Sequence, residues 1–147
     1  HTLWTYGVGG DQAVFTGCRL SGLDMHEYQF NGADFRGALI ENCDLRNMGA
    51  CSADLRGTRF VNCEMEYFTA EESDFSEASF RDCHMRAARL AGSTFQNVIL
   101  MDSDLSKTDL SNATVKQVEV QDSEMEAVNL RGADVDDPDW VQEMEGM

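Results

Sequence analysis

The chain has 147 residues, 42% of them apolar, with 27 acidic against 11 basic side chains and a formal net charge of −16. This is one domain's worth of chain, and so acidic a balance excludes binding free nucleic acid through its phosphates or docking on an anionic membrane surface. No run approaches the ~18 apolar residues of a membrane span, and the partners that the charge favours are proteins with basic surfaces.

The chain opens on His1 rather than Met and reads as an excised piece, so the lack of a targeting segment carries no weight. Residues 1–12 form an N-terminal cap in which Leu3, Trp4 and Tyr6 cover an otherwise open sheet edge. From Phe15 to Val135 every fifth residue is apolar without one slip of register. Independent placement would do this about once in 10^9 tries, so the repeat is internal to the chain. A period of five fits neither a helix nor an ordinary strand. It fits a coil that turns a corner after each five-residue side.

Each multiple of five is the centre of such a side. The residue two before it is mostly small and never charged, and residues two apart on extended chain share a face, so both point inward. Cys18, Cys43, Cys63 and Cys83 hold this second inward position, which reads as core use of a small apolar side chain. Cys51 is the cysteine expected to face out. Five cysteines without disulfide spacing point to a reducing, cytoplasmic compartment. The residue two after the centre is often Gly or Asn, as at Gly17, Gly22, Gly32, Gly37, Asn42, Asn47, Asn62 and Gly132, which tolerate the positive φ that a corner needs.

The motif Ala33-Asp34-Phe35-Arg36-Gly37, repeated as Ala53-Asp54-Leu55-Arg56-Gly57 and opened again by Ala133-Asp134-Val135, resembles the pentapeptide-repeat family. The resemblance implies an all-β fold, a right-handed quadrilateral parallel β-helix (solenoid) with four pentapeptides per coil. Residues 20 apart must then stack, and the columns agree. Met25, Leu45, Met65, Met85, Leu105 and Met125 are all Met or Leu, and the small centres Ala50 and Ala70 come with the large Met48 and Phe68. Layer volume is conserved, as close packing demands. The expected solenoid spans 13–137 in about six coils, a rod about 30 Å long at the ~4.8 Å strand spacing. Beyond it Asp137 and Pro138 read as N-cap and first turn of a short C-terminal helix over 138–147. Its face of Trp140, Val141 and Met144 serves as a cap or, as in the gyrase-protecting members of the family, as a homodimer contact.

No nucleophile elbow, Walker loop or zinc spacing occurs, so no catalytic residue, cofactor or metal is expected and the chain reads as a non-enzyme. One outward column holds Asp24, Asp44, Glu64, Asp104 and Glu124 with His84 among them. Such a ladder offers oxygen ligands to a divalent cation, but a solvated acidic face is the plainer reading. Residues 101–147 hold 13 acids and 3 bases. The net charge per length approaches that of duplex DNA, about one charge per 1.7 Å. The resemblance therefore also implies a DNA mimic that occupies DNA gyrase and confers quinolone resistance. Against it, arginines interrupt the middle coils, the Asp before each centre has a structural reason, and no inserted loops occur. The side centred on Leu20, Ile40, Phe60, Phe80 and Leu100 differs from the others. Its outward residues include Leu39, Val61, Ile99 and Met101 beside Arg19, Arg59 and Arg81, a composition typical of interfaces. The expected function is a non-enzymatic scaffold that engages a partner protein through this flat side. The alternatives are the gyrase mimic and one domain of a larger secreted effector or adaptor.

Overall fold

The computed structural model describes residues 12–136. The chain winds into a solenoid in which each residue pairs in parallel with the residue 20 further on, so four five-residue sides complete one coil. Faces 1, 2, 3 and 4 are those centred on Phe35, Ile40, Leu45 and Ala50 and their stacked equivalents. About six coils succeed one another, and the expected stacking of Cys43, Cys63 and Cys83 holds, flanked by the bridges Asp44 to Glu64 and Glu64 to His84.

Among the described residues nine short strands form two parallel sheets. Face 2 carries β1 (Arg19–Ser21), β2 (Leu39–Glu41), β3 (Arg59–Val61), β4 (Ser79–Arg81), β6 (Ile99–Met101) and β8 (Glu119–Gln121) as one six-stranded sheet. Face 1 carries β5 (Thr94–Gln96), β7 (Thr114–Lys116) and β9 (Asp134–Val135). Elsewhere single bridges link the coils.

Every residue two after a centre, from Gly17 to Gly132, has φ between 48° and 76°. The Gly and Asn preference understates this, because Glu27, Tyr67, Ala87 and Lys107 adopt the same conformation. Left-handed backbone costs a non-glycine residue about 1 kcal/mol or more. The coil ladder holds it there, as in Phe35 N–H to the Asp54 carbonyl at 2.8 Å and Asp54 N–H to the Ala33 carbonyl at 3.0 Å.

The core is a stack of apolar columns. Phe60 lies over Phe80 at 4.8 Å with ring planes 2° apart, and Phe75 over Phe95 at 4.8 Å and 14°. Met48 with Ala50 and Phe68 with Ala70 are all buried, so the exchange of large and small positions fills each layer as the sequence anticipates.

One part of the expected architecture is corrected. There is no helix among the described residues, so the C-terminal helix is dropped from the fold; residues 138–147, with Trp140, Val141 and Met144, lie outside them. The N-terminal cap expected over 1–12, with Leu3, Trp4 and Tyr6, lies outside them for all but Gln12. In the first described coil Val14, Leu23 and Tyr28 are exposed, and so is Cys18 despite its inward position.

Candidate functional site

The four faces differ in how their corners close. On face 3 through Leu105, on face 1 through Phe75, and on face 4 at Phe30, Leu90, Leu110 and Leu130, the centre's carbonyl accepts the N–H three residues on, as in Tyr28 to Met25, Met48 to Leu45 and Thr58 to Leu55 at 3.1–3.3 Å. With positive φ at the third residue this is a type II turn. Its second residue offers an N–H that the outward side chain before the centre accepts. Asp34 takes Arg36 N–H at 3.0 Å, Asp44 takes Arg46 at 3.1 Å, Asp54 takes Arg56 at 3.2 Å and Asp104 takes Ser106 at 2.9 Å. The aspartate of the repeat is thus a turn residue, as the sequence suggests. At Ala50 and Ala70 on face 4 the Ser73 and Ser93 hydroxyls of the next coil donate to the centre's carbonyl and accept the N–H three residues on instead.

Face 2 closes another way. Three residues stay extended, and the corner after them is bridged by a side chain from the next coil. The Cys43 thiol lies within donating distance of the Leu20 carbonyl at 3.4 Å and of its own strand's Glu41 carbonyl at 3.2 Å, and accepts Leu23 N–H. Cys63 does the same for Ile40 and Cys43, and Cys83 for Phe60 and Cys63. Further along, Ser103 Oγ accepts Cys83 N–H at 3.2 Å and Ser123 Oγ accepts Ser103 N–H at 3.1 Å. This amends the reading of these cysteines as merely small and apolar: the sulfur replaces the bond that a tight turn would make. Burial pushes the Cys43 thiol up, and the Cys83 contact together with burial does so for Cys63. Inert structural thiols are expected to behave so.

An open corner frees the outward positions of face 2 from turn duty. Before its centres stand Arg19, Leu39, Arg59, Ser79, Ile99 and Glu119, with no aspartate. The register sets Leu39 beside Arg59 and Ser79 beside Ile99, while Val61, Arg81 and Met101 succeed one another in the second outward column. Ile99 is 42% exposed, Leu39, Val61 and Met101 are half-buried, and Arg59 and Arg81 are exposed. The predicted contact residues therefore share one flat sheet, but arginine interrupts the apolar ones. Arg19 is held by Glu41 at 2.7 Å. Arg81 reaches Asp82 only at 3.8 Å, and Arg59 has no ion-pair partner among the described residues.

The predicted acidic column also assembles, with Asp24, Asp44, Glu64, His84, Asp104 and Glu124 bridged in sequence up face 3. It is not a row of free charges. Arg46 grips Asp44 through Nε and Nη2 at 2.9 and 2.7 Å, and this holds the Asp44 carboxyl down to about 2; Arg36 does the same to Asp34. Asp24 is paired with His26 at 2.5 Å. Two groups bring ligand atoms within 4.8 Å of one another, Asp24–His26–Asp44 and Glu64–Glu66–His84. The second includes Glu66, which the column reading missed because it lies past the centre. Between faces 1 and 2 runs a groove of about 380 Å³ lined by Arg36, Gly37, Arg56, Gly57, Ser76 and Glu77. It exists because Gly37 and Gly57 put no side chain at successive corners, and the Cβ of an alanine at Gly37 would meet nothing within 4 Å.

Residues 11–47, 29–66 and 78–117 match a family model described as pentapeptide repeats, in 8 copies. No curated protein matches the sequence. Among solved structures, a trypsin-treated variant of QnrB1, a plasmid-mediated fluoroquinolone resistance protein, is similar with a TM-score of 0.60 at 19% identity over 86% of this chain and 71% of that one. Full-length QnrB1 gives 0.54 at 16% over 94% and 98%. The repeat protein Rfr23 of the cyanobacterium Cyanothece 51142 gives 0.45 at 17% over 84% and 91%. At these identities the two QnrB1 likenesses speak to the fold alone.

Proposed function

The chain belongs to the pentapeptide-repeat family, and from that premise we propose that it is a non-enzymatic scaffold that binds a partner protein through face 2. The observation behind this is the release of face 2 from turn chemistry. On the other faces Asp24, Asp34, Asp44, Asp54, Asp74, Asp104, Asp109 and Asn129 are committed to corner turns. On face 2 no side chain before a described centre is, and a six-stranded sheet bears Leu39, Val61, Ile99 and Met101 around Arg59 and Arg81. Methionine and arginine are enriched in interface cores. A sheet held by a full ladder also loses little entropy to ordering on binding. A partner with basic patches outside the contact is drawn by the carboxylates of the neighbouring faces, and the setting is a reducing cytoplasm.

Changing Leu39, Val61, Ile99 and Met101 together to Ser tests this. The variant should still unfold in one cooperative transition and lose the proteins that the parent retains from an extract of its native host. Retention of the same set by both would reject face 2.

A second reading, a DNA mimic acting on gyrase, is favoured by the charge of the last coils. Residues 101–136 hold nine acidic and three basic residues, and Ser106 and Ser111 stand where Arg36, Arg46 and Arg56 neutralise the turn aspartates earlier. It requires inhibition of gyrase supercoiling at micromolar protein, and no effect there would end it.

A further inference from the structure

We propose that the partner seated on face 2 is a second copy of this chain, laid antiparallel across a two-fold axis that runs along the strands between β3 and β4. This deepens the scaffold reading and rests on its assignment of face 2. The inference comes from the order of residues in the first outward column: Arg19, Leu39, Arg59, Ser79, Ile99, Glu119. Reversed against itself, that column is complementary. Arg19 meets Glu119 of the other copy, Leu39 meets its Ile99, and Arg59 meets its Ser79. An interface between identical faces must match itself in this way.

The second column adds no like-charge contact. Ser21 meets Gln121, and the aliphatic stem of Arg81 lies on Val61 while its head reaches past. Glu41, opposite Met101, keeps its intramolecular partner Arg19. This axis is also the one that sets all six strands in contact; any slide along the rod uncovers strands at both ends.

The overall charge selects the same orientation. Residues 12–60 hold six acids and five bases, whereas residues 101–136 hold nine and three. Parallel rods would set the two acidic ends against each other. Antiparallel rods set each acidic end against a nearly neutral one. Six strands span about 29 Å, so the contact buries on the order of 1,000 Å² in total, at the low end for specific association. A contact of that size makes a weak, micromolar dimer.

The test is sedimentation equilibrium of the purified chain from about 5 to 500 µM, with charge-swapped variants checked for an unchanged thermal midpoint. The wild type should pass from 16.4 kDa toward twice that mass. Arg19→Glu and Glu119→Arg should each weaken association by about fivefold or more, and the double variant, which still lacks the Arg19–Glu41 pair, should recover at least about twofold of that loss. Within one copy these residues stand five coils apart, about 24 Å, too far to couple through salt solution, so rescue can come only across the interface. Leu39→Asp, which sets a carboxylate against Ile99 of the other copy, should abolish association. A single 16.4 kDa species throughout, or a double variant no better than the singles, overturns the proposal. If the chain stays monomeric while the four-serine variant still loses its captured proteins, the second copy falls and face 2 stands; if that variant loses nothing either, both fall.

Discussion

Face 2 and face 3 are neighbours on the same coils, yet their outer surfaces obey different rules. On face 3 the side chain before the centre closes a type II turn, and Asp24, Asp44 and Asp104 are there for that reason. On face 2 the corner is closed from inside by Cys43, Cys63, Cys83 and then Ser103, so the outside carries Leu39, Arg59 and Ile99. Acidic residues on this solenoid are thus partly architecture. The positions informative about function are those where the architecture asks for nothing.

The contrast can be broken at several depths. The largest effect should come where the faces do not differ. Phe80, buried between Phe60 and Phe75, should cost about 3–5 kcal/mol as Phe80→Ala, read as a lowered urea midpoint. A loss under about 1 kcal/mol would mean that the columns are not close-packed. Next is the thiol bridge. Cys63→Val leaves the Cys43 N–H without its partner, while the Ile40 carbonyl stays in the β2–β3 ladder, and should cost about 1–3 kcal/mol, whereas Cys63→Ser, accepting that N–H as Ser103 does for Cys83, should recover most of it. Equal losses in the two variants would show that packing alone matters there.

Smaller still is the turn aspartate. Asp44→Ala should cost about 1 kcal/mol in thermal unfolding, the ordinary worth of such a cap. Asp34 and Asp44 titrate at about 2 in the folded chain, below the usual 3.8, because Arg36 and Arg46 hold their charged forms. Their contribution is therefore complete above about pH 5 and drains as pH falls toward 2. Asp34→Asn with Asp44→Asn should flatten the acid limb of a stability–pH curve; an unaltered limb would place the effect elsewhere. Smallest is Leu39→Ser on face 2, which should change stability by no more than about 0.5 kcal/mol.

The solenoid was legible because a five-residue period over 25 sides overdetermines it, and the Met/Leu column with the exchange of size at Ala50 and Ala70 fixed the coil at twenty. Positive φ was only half legible: Gly and Asn mark it, but Tyr67 and Ala87 are forced into it by the ladder, which local preference cannot reveal. The thiol bridges were not read, since a cysteine two before a centre looks like a small apolar residue until the unclosed corner beside it is seen. A signal was present all the same. Aspartate is missing before every centre of face 2 while it recurs on faces 1 and 3, but Gln29 and Arg89 precede closed corners on face 4, so the absence is only a partial signal. Arg59 and Arg81 stood out as flanking residues, but only the ion-pair geometry separates them from Arg36, Arg46 and Arg56, which the turns have already claimed.

The most direct test sets the two faces side by side, measuring unfolding midpoint and association for the four-serine variant of face 2 and for Asp44→Ala on face 3. The face 2 variant should lose association with a midpoint loss no larger than four small surface changes add up to, and Asp44→Ala should lower its midpoint and keep association. The reverse pattern would contradict the division between a surface that builds the rod and a surface that binds.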